Sequence, residues 1–306
     1  MTREAVLVPR AEPRSYHGRP VVKPPVWTAE VPWYFFTGGV TGAAATLALA
    51  AEWRGEERLA WSARVVAVTA GTVSPVLLIS DLGRPERFLN MLRVFKPTSP
   101  MSVGSWVVAI AGASNGLAAA WKLFGLFERV SLPARLAAGL TGPPMTTYTA
   151  ALLANTAIPV WREARGELPF VFATSAAASA GAAVAALTPV GDAGPARRLN
   201  AIGAVCEEVA VMAMERRLGP LARPYHEGDA QRYRRLATVL TLSGAAVVAL
   251  AGRRSRAATA AGALLSLAGG AARRWSVFEA GVASALDPAD TVGPQRARLE
   301  ARDGAG

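Results

Sequence analysis

Histidine and cysteine are nearly absent from this chain of 306 residues, and their scarcity excludes several kinds of cofactor. The two histidines, His17 and His226, fall in polar segments, whereas a b-type haem in a membrane needs axial histidines within the apolar helices. The single cysteine, Cys206, excludes an intrachain disulfide and a cysteine cluster for zinc or iron–sulfur. We therefore expect this chain to bind neither haem nor metal.

Charged residues are also scarce, at 18% of the chain against about 25% in a typical soluble domain. Hydrophobic residues make up 52%, and the mean hydropathy is +0.26. Because lipid offers no partner to an unpaired backbone group, this composition predicts membrane-spanning helices of about 20 residues each. Eight apolar runs are candidate spans: 31–51, 60–80, 101–121, 143–161, 168–190, 199–214, 236–251 and 257–272.

The eight runs predict an all-α integral membrane protein with about eight transmembrane helices. They divide into two halves of four near residues 162–168, within a transmembrane domain of residues 31–272. A polar, proline-rich arm, residues 1–30, precedes this domain, and a polar tail, residues 273–306, follows it. The arm lacks the apolar stretch of a signal peptide, so we expect no cleaved leader.

The basic residues predict an orientation. The formal net charge is +11, and eight spans place both termini on one side. That side carries 22 lysines and arginines, and the other side carries 11. The excess predicts cytoplasmic termini. The arginines are scattered over loops without a nucleic-acid-binding fold, so we expect no nucleic acid partner.

The end of the second span carries an unusual acidic residue. Asp81 stands where a carboxylate opposes the helix dipole, while Gly83 and Pro85 are typical of a helix C-terminus. An ion pair with Arg84 or Arg87 would offset that cost. We therefore interpret this region as an ordered segment and not a flexible loop.

The chain re-enters its third span through Ser99 and Ser102, either of which can cap the new helix. The segment between Asp81 and Ser102, called the lip below, therefore joins two helix ends on the same side as the arm.

Aromatic residues gather at this same predicted side. One interpretation is an interfacial aromatic belt, and the other is a pocket for a flat, amphipathic ligand. Tyr148 and Asn155, seven residues apart on span 4, add a phenol and an amide suited to hydrogen-bonding the carbonyls of a quinone. The aromatic residues concerned are Trp27, Trp33, Tyr34, Phe35, Phe36 and Trp161.

Span 6 carries carboxylates inside an apolar run, where charges are costly. Glu207 and Glu208 lie deep in the run, whereas Glu215 lies next to Arg216 and Arg217 and is read as interfacial. One interpretation of the deeper pair is that one glutamate pairs with an arginine or a hydroxyl on a neighbouring helix. The other is a proton relay or the wall of a quinone pocket.

Small residues recur at helical spacing. Gly38-x-x-x-Gly42 in span 1 and Gly112-x-x-x-Gly116 in span 3 predict close packing of helices within the chain, or a surface that faces a cofactor.

Three stretches carry a resemblance to a known family. The segment SDLGRPERFLNMLRVFKPTSPMSVGSW (Ser80–Trp106) resembles the signature of the NrfD/polysulfide reductase membrane-subunit family. YTAALLANTAIPVW (Tyr148–Trp161) is similar to the fourth helix of that family, and RRWSVFEAGVASALDP (Arg273–Pro288) to its C-terminal ending.

The resemblance implies a haem-free membrane anchor in the cell membrane, built from two four-helix bundles. Such subunits bind menaquinone or ubiquinone. They partner a ferredoxin-like iron–sulfur subunit and a molybdopterin catalytic subunit, and they have no catalytic activity alone. Many relatives serve extracytoplasmic partners, whereas the arginine count favours docking at the cytoplasmic face, so the side stays open.

On this interpretation, the quinone head lies near the lip and the start of span 1. The candidate quinone-binding residues are Trp33, Tyr34, Asp81, Arg84, Ser102, Tyr148 and Asn155. The candidate proton-transfer residues are Asp81, Glu207 and Glu208.

Two other functions are compatible with the sequence. A transporter would also use small residues and buried carboxylates, but matched pairs of broken helices are not evident. A passive anchor would keep the partners and lack quinone chemistry.

Overall fold

The computed structural model describes residues 20–82, 84–125 and 128–303, and it is all-helical over that part of the chain. Most of arm residues 1–30 and Gly83 of the lip therefore lie outside the described residues. The helices are α1 (Glu30–Trp53), α2 (Glu57–Ser80), α3 (Pro100–Phe124), α4 (Glu128–Leu140), α5 (Gly142–Ala154), α6 (Pro159–Glu163), α7 (Leu168–Leu187), α8 (Gly194–Leu218), α9 (Gly228–Leu250), α10 (Arg256–Leu286) and α11 (Pro288–Asp303). Shorter 3-10 segments cover Pro85–Leu92, Ala164–Gly166 and Gly219–His226.

Within the described residues, five helices are long and apolar enough to cross a membrane: α1, α2, α3, α7 and α9. Each corresponds to one of the predicted spans. Helices α8 and α10, of 25 and 31 residues, are long enough but are not among the helices that are also apolar enough. The count of eight spans and their arrangement as two bundles stay predictions.

Two predicted spans have different boundaries in the structure. Span 4 was expected to run from 143 to 161, but α5 ends at Ala154 and a separate helix, α6, begins at Pro159. Ile158 is extended, as the residue before a proline prefers. Span 8 was expected to end at 272, but α10 continues to Leu286.

The helix termini meet at two ends of the molecule. At the first, called the arm end, Trp27 stacks on Trp161, and Val22 lines a cavity together with Gln295 of α11. The arm end therefore carries the first and last described segments. At the opposite end, Lys122 at the close of α3 donates to Glu57 at the start of α2.

Glycines of α1 allow neighbouring helices to pack closely against it. A methyl group at Gly42 would lie 2.5 Å from the carbonyl oxygen of Gly142 in α5. Gly38 likewise faces Met145 of α5. The predicted packing role of this pair is confirmed. Gly112 and Gly116 of α3 face open space in the described structure, so the second pair does not act in the same way.

Candidate functional site

The carboxylate of Asp81 ties the arm to the lip. Its Oδ1 accepts hydrogen bonds from the backbone N–H of Thr28 at 3.2 Å and from the Thr28 hydroxyl at 2.5 Å. The sequence pointed to Arg84 or Arg87 as the partner. Both arginines are exposed, and neither occurs among the ion pairs of the described residues. Asp81 is therefore held by two neutral donors from the arm.

Serine hydroxyls hold the other half of the lip against α3. Ser99 caps α3 by accepting from the N–H of Ser102, as predicted. The Ser102 hydroxyl donates to the carbonyl of Val94 at 3.1 Å and accepts from the N–H of Lys96 at 3.0 Å. Ser102 thus shapes the lip, and its oxygen is already engaged.

Two tyrosines lie together behind the lip. The rings of Tyr34 and Tyr148 are 6.3 Å apart at an angle of 67°, and both side chains are buried. A methyl group at Gly104 of α3 would lie 2.6 Å from the Tyr148 ring, so the glycine makes room for it. The buried Tyr148 hydroxyl has no hydrogen-bond partner among the described residues. Such a group is a site where a ligand or water with an acceptor oxygen fits.

Three predicted quinone contacts lie on the surface instead. Trp33 is 44% exposed and packs edge-on against Phe36. Arg84 is exposed on the lip, and Asn155 is exposed just beyond the end of α5. Because α5 ends before Asn155, Tyr148 and Asn155 do not form the buried polar stripe that one continuous helix would give.

The remaining aromatics form a core and not a belt. Trp161 is fully buried, and its indole N–H donates to the carbonyl of Val277 at 2.7 Å. Its ring stacks on Trp27 at 5.7 Å and packs directly on Gly281 of α10. This packing joins the arm, α6 and α10.

The cavities at the arm end are not lined by Asp81 or by the tyrosine pair. One of about 650 Å³ is lined by residues between Arg217 and Arg223 and by α11 residues that include Asp290. A second, of about 360 Å³, is bordered by Val22, Arg162 and Asp290. Asp81 and Tyr148 line neither cavity, so the tyrosine pair is a packed site that needs side-chain movement to admit a ring.

Span 6 contributes to a buried ion cluster. Arg273 of α10 donates through Nε to Glu207 at 2.7 Å and through Nη2 to Glu208, which also accepts from Thr238 at 3.0 Å. Glu207 is 0% exposed and Arg273 is 2% exposed. The expectation that a span 6 glutamate pairs with an arginine or hydroxyl of a neighbouring helix is confirmed. Glu207 Oε2 has no partner in the described structure, so the cluster keeps one oxygen free.

Arg274 extends this cluster toward α1 and α7. Its guanidinium carbon lies 3.9 Å above the Phe172 ring, and Nη2 donates to the Phe172 carbonyl at 2.8 Å. A methyl group at Gly39 would lie 3.2 Å from this guanidinium. Nε and Nη1 have no partner among the described residues. Two arginines and two glutamates make the cluster neutral overall.

Further ion pairs were not foreseen in the sequence. Glu215 was read as interfacial beside Arg216 and Arg217, but it accepts from Arg234 at 2.5 and 2.8 Å. Arg223 donates to Asp287 and Asp290 and fastens α11 to the rest of the arm end. The polar sequence of α11 indicates that this helix makes polar contacts, but it does not identify Arg223 as the partner.

Comparison with known proteins adds the family. A family model described as "Polysulphide reductase, NrfD" matches residues 20–218, which include the lip, Tyr148 and Glu207. No curated protein matches the chain. The match ends before Arg273, so the C-terminal resemblance lies outside it. With five helices fit to cross a bilayer, the chain is a membrane protein, and it belongs to the NrfD polysulphide reductase family.

Proposed function

We propose that this chain is a haem-free, quinone-interacting membrane subunit of an oxidoreductase complex. Its partners are a ferredoxin-like iron–sulfur subunit and a molybdopterin catalytic subunit. Membership of the NrfD family supports the assembly. The observation that carries the quinone site is the buried, unpartnered hydroxyl of Tyr148 beside the ring of Tyr34.

A quinone ring placed against this pair satisfies the phenol. The Tyr148 hydroxyl donates to one quinone carbonyl, and Tyr34 provides an aromatic wall. Asp81, anchored by Thr28, is the carboxylate that we place at the lip side of the proposed site. Trp33 faces the surface, where a quinone arrives from the lipid. Ser102 acts through the shape of the lip.

Reduction of a quinone takes two electrons and two protons. An iron–sulfur cluster of the partner subunit would supply the electrons, because we expect this chain to hold no redox centre of its own. Asp81 relays protons at the lip, and Glu207 and Glu208 are the candidates deeper in the protein. The free Oε2 of Glu207 is the atom on which a transferred proton would rest. Alone, the chain has no activity.

The proposal includes an arrangement in the cell membrane. Eight spans form two groups of four, with α4 and α5 together making the fourth passage and α8 and α10 completing the second group. Arg273 and Arg274 then belong to the membrane and not to the tail, which leaves 20 basic residues on the side of the termini against 11. The termini stay cytoplasmic on this count.

The test is quinol-linked turnover by the purified complex. We expect iron–sulfur and molybdenum subunits to co-purify, and we expect Tyr148→Phe to lower turnover about 2- to 12-fold, because one neutral hydrogen bond of about 0.5–1.5 kcal/mol is lost. Tyr225→Phe is the matched control, because Tyr225 is also buried with an unpartnered hydroxyl but lies in the Gly219–His226 segment.

Two results would end the proposal. Unchanged turnover in Tyr148→Phe with normal KM for the quinol would remove the site. A chain that purifies without redox partners and moves a solute across vesicles would instead make it a transporter.

A further inference from the structure

Five arginines crowd the end of the molecule opposite the arm. Arg197 and Arg198 lie in the first turn of α8, Arg253 and Arg254 in the turn between α9 and α10, and Arg256 at the start of α10. All but the partly buried Arg197 are exposed. These five residues are called the arginine patch.

Packing brings the two segments together. Val248 near the end of α9 shares a buried apolar cluster with Ala193 and Ala196 at the start of α8. The pKa of Arg197 is lowered by burial and by the positive charges of Arg253 and Arg198. The Nη1 of Arg197 donates to the carbonyl of Val190 at 2.9 Å, which fixes its side chain.

No carboxylate forms an ion pair with the patch in the part of the chain that the structure describes, although Arg198 lines a cavity together with Glu56, Glu57 and Asp192. The acidic side chains of this end are bound elsewhere. Their pairs are Glu52 with Arg64, Glu56 with Arg54, Glu57 with Lys122, and Asp192 with Arg58. The five arginines occur in none of the described ion pairs. Their like charges therefore repel one another unless an anion joins them.

The surface next to the patch is apolar. Ile202, Val205 and Val209 are exposed on α8 within three turns of Arg198, and Leu250 is exposed at the end of α9. Positions 202, 205 and 209 share one face of the helix. A positive edge thus sits directly above an apolar face, as at a membrane–water boundary.

We propose that the arginine patch binds the phosphate headgroup of an anionic phospholipid, whose acyl chains lie along the exposed face of α8. Guanidinium groups bind phosphate oxygens strongly. One phospholipid supplies both a phosphate for the patch and acyl chains for the adjoining apolar face, which a free phosphate does not. The headgroup lies toward Arg253 and not in the neighbouring cavity, which Glu56, Glu57 and Asp192 also line.

The experiment is a lipid titration of the purified full-length chain followed by native mass spectrometry. The probes are phosphatidylglycerol, phosphatidylcholine with the same acyl chains, and inorganic phosphate. The test variant is R198Q/R253Q/R254Q. The matched control is R87Q/R93Q/K96Q, which removes the same charge from exposed positions on the lip. Both variants must unfold with the cooperative thermal transition of the wild type.

We expect the wild type to prefer phosphatidylglycerol and the test variant to bind it on the order of 100-fold more weakly, since each arginine near an anionic surface contributes about five-fold. The control keeps wild-type affinity within a few-fold. If the test variant is unstable, R253Q/R254Q in the exposed turn should still weaken binding about 25-fold.

Three results would overturn the proposal. They are an equal loss in test and control variants, no preference for phosphatidylglycerol in the wild type, or displacement of the lipid by millimolar inorganic phosphate.

Discussion

Two arginine clusters of this protein differ in how completely their carboxylates are buried. Near the end opposite the arm, Arg64 of α2 donates to Asn115 at 3.1 Å and to Glu52 at 2.9 Å, and Glu52 also has Arg135 at 3.8 Å. In the other cluster, Arg273 holds two glutamates. Each cluster keeps unpartnered buried atoms in the described structure, among them Nε of Arg135 in the first and Oε2 of Glu207 in the second.

The two clusters should therefore respond differently to the loss of one arginine. Glu52 is partly exposed and shared by two arginines, so water and a second cation remain when one partner is lost. Glu207 is 0% exposed, and the loss of Arg273 removes the hydrogen bond that its carboxylate accepts, while Arg274 of the same cluster does not donate to it among the described residues.

The largest expected effect is on stability at Arg273. Arg273→Gln should destabilise the protein by about 3–5 kcal/mol, because it leaves a fully buried carboxylate without its cation. Arg64→Gln is the matched control and should cost about 1–2 kcal/mol. Thermal unfolding of both variants in detergent measures the difference. An equal or larger loss of stability in Arg64→Gln would contradict the predicted difference between the two clusters.

A second prediction sharpens the origin of that loss. Adding Glu207→Gln to Arg273→Gln should restore about 2 kcal/mol, because the uncompensated charge disappears with the glutamate. The full double-mutant cycle, followed by thermal unfolding, gives the coupling energy. Strict additivity would mean that the two side chains do not act as a pair.

A smaller effect is expected where the arm meets the lip. Asp81→Ala removes the acceptor of the Thr28 N–H, so hydrogen exchange of that amide should speed up about five-fold, which corresponds to about 1 kcal/mol. Asp81→Asn keeps an acceptor oxygen and should change exchange less. Mass spectrometry of peptides covering residues 20–30 measures both. If Asp81→Ala leaves exchange unchanged, the arm is held by other contacts.

The smallest effects concern α11 and depend on pH. The hydrogen bond from Arg223 holds the pKa of Asp287 below its usual range, so its stabilisation is complete above about pH 4 and is lost as the pH falls through the lowered pKa. Burial raises the pKa of Asp290. Ionised Asp290 therefore costs stability at neutral pH, and this cost shrinks as the pH falls.

At pH 7 we expect Asp287→Asn to destabilise by less than about 1 kcal/mol, since the pair with Arg223 is partly exposed. Asp290→Asn should be neutral or slightly stabilising at pH 7, and its advantage should decrease at pH 5. The melting temperatures of both variants and of the wild type, measured at pH 7 and pH 5, test these expectations. A larger loss for Asp290→Asn than for Asp287→Asn at pH 7 would contradict the assigned pKa directions.

Much of the fold could be predicted from the composition of the helices. Long apolar runs with small residues gave α1, α2, α3, α7 and α9 because burial and lipid exposure both select such residues. The cap at Ser99 followed from local chemistry. The side-by-side position of arm and lip followed from counting helix passages.

What the sequence concealed was pairing across long separations. Arg273 and Arg274 follow an apolar run and resemble an interface, but glutamates 66 and 65 residues earlier hold Arg273 inside the protein. Asp81 finds Thr28, 53 residues away, and not the arginines beside it. Such partners depend on tertiary packing, which a single sequence does not report.

The most direct measurement of the central claim is photolabelling of the purified complex with an azido-quinone, followed by mass spectrometry of the labelled peptides. The account predicts label in α5 around Tyr148 and at the start of α1, reduced by excess unlabelled quinone. Label confined to residues 217–223 and 289–294, around the cavity of about 650 Å³, would contradict it.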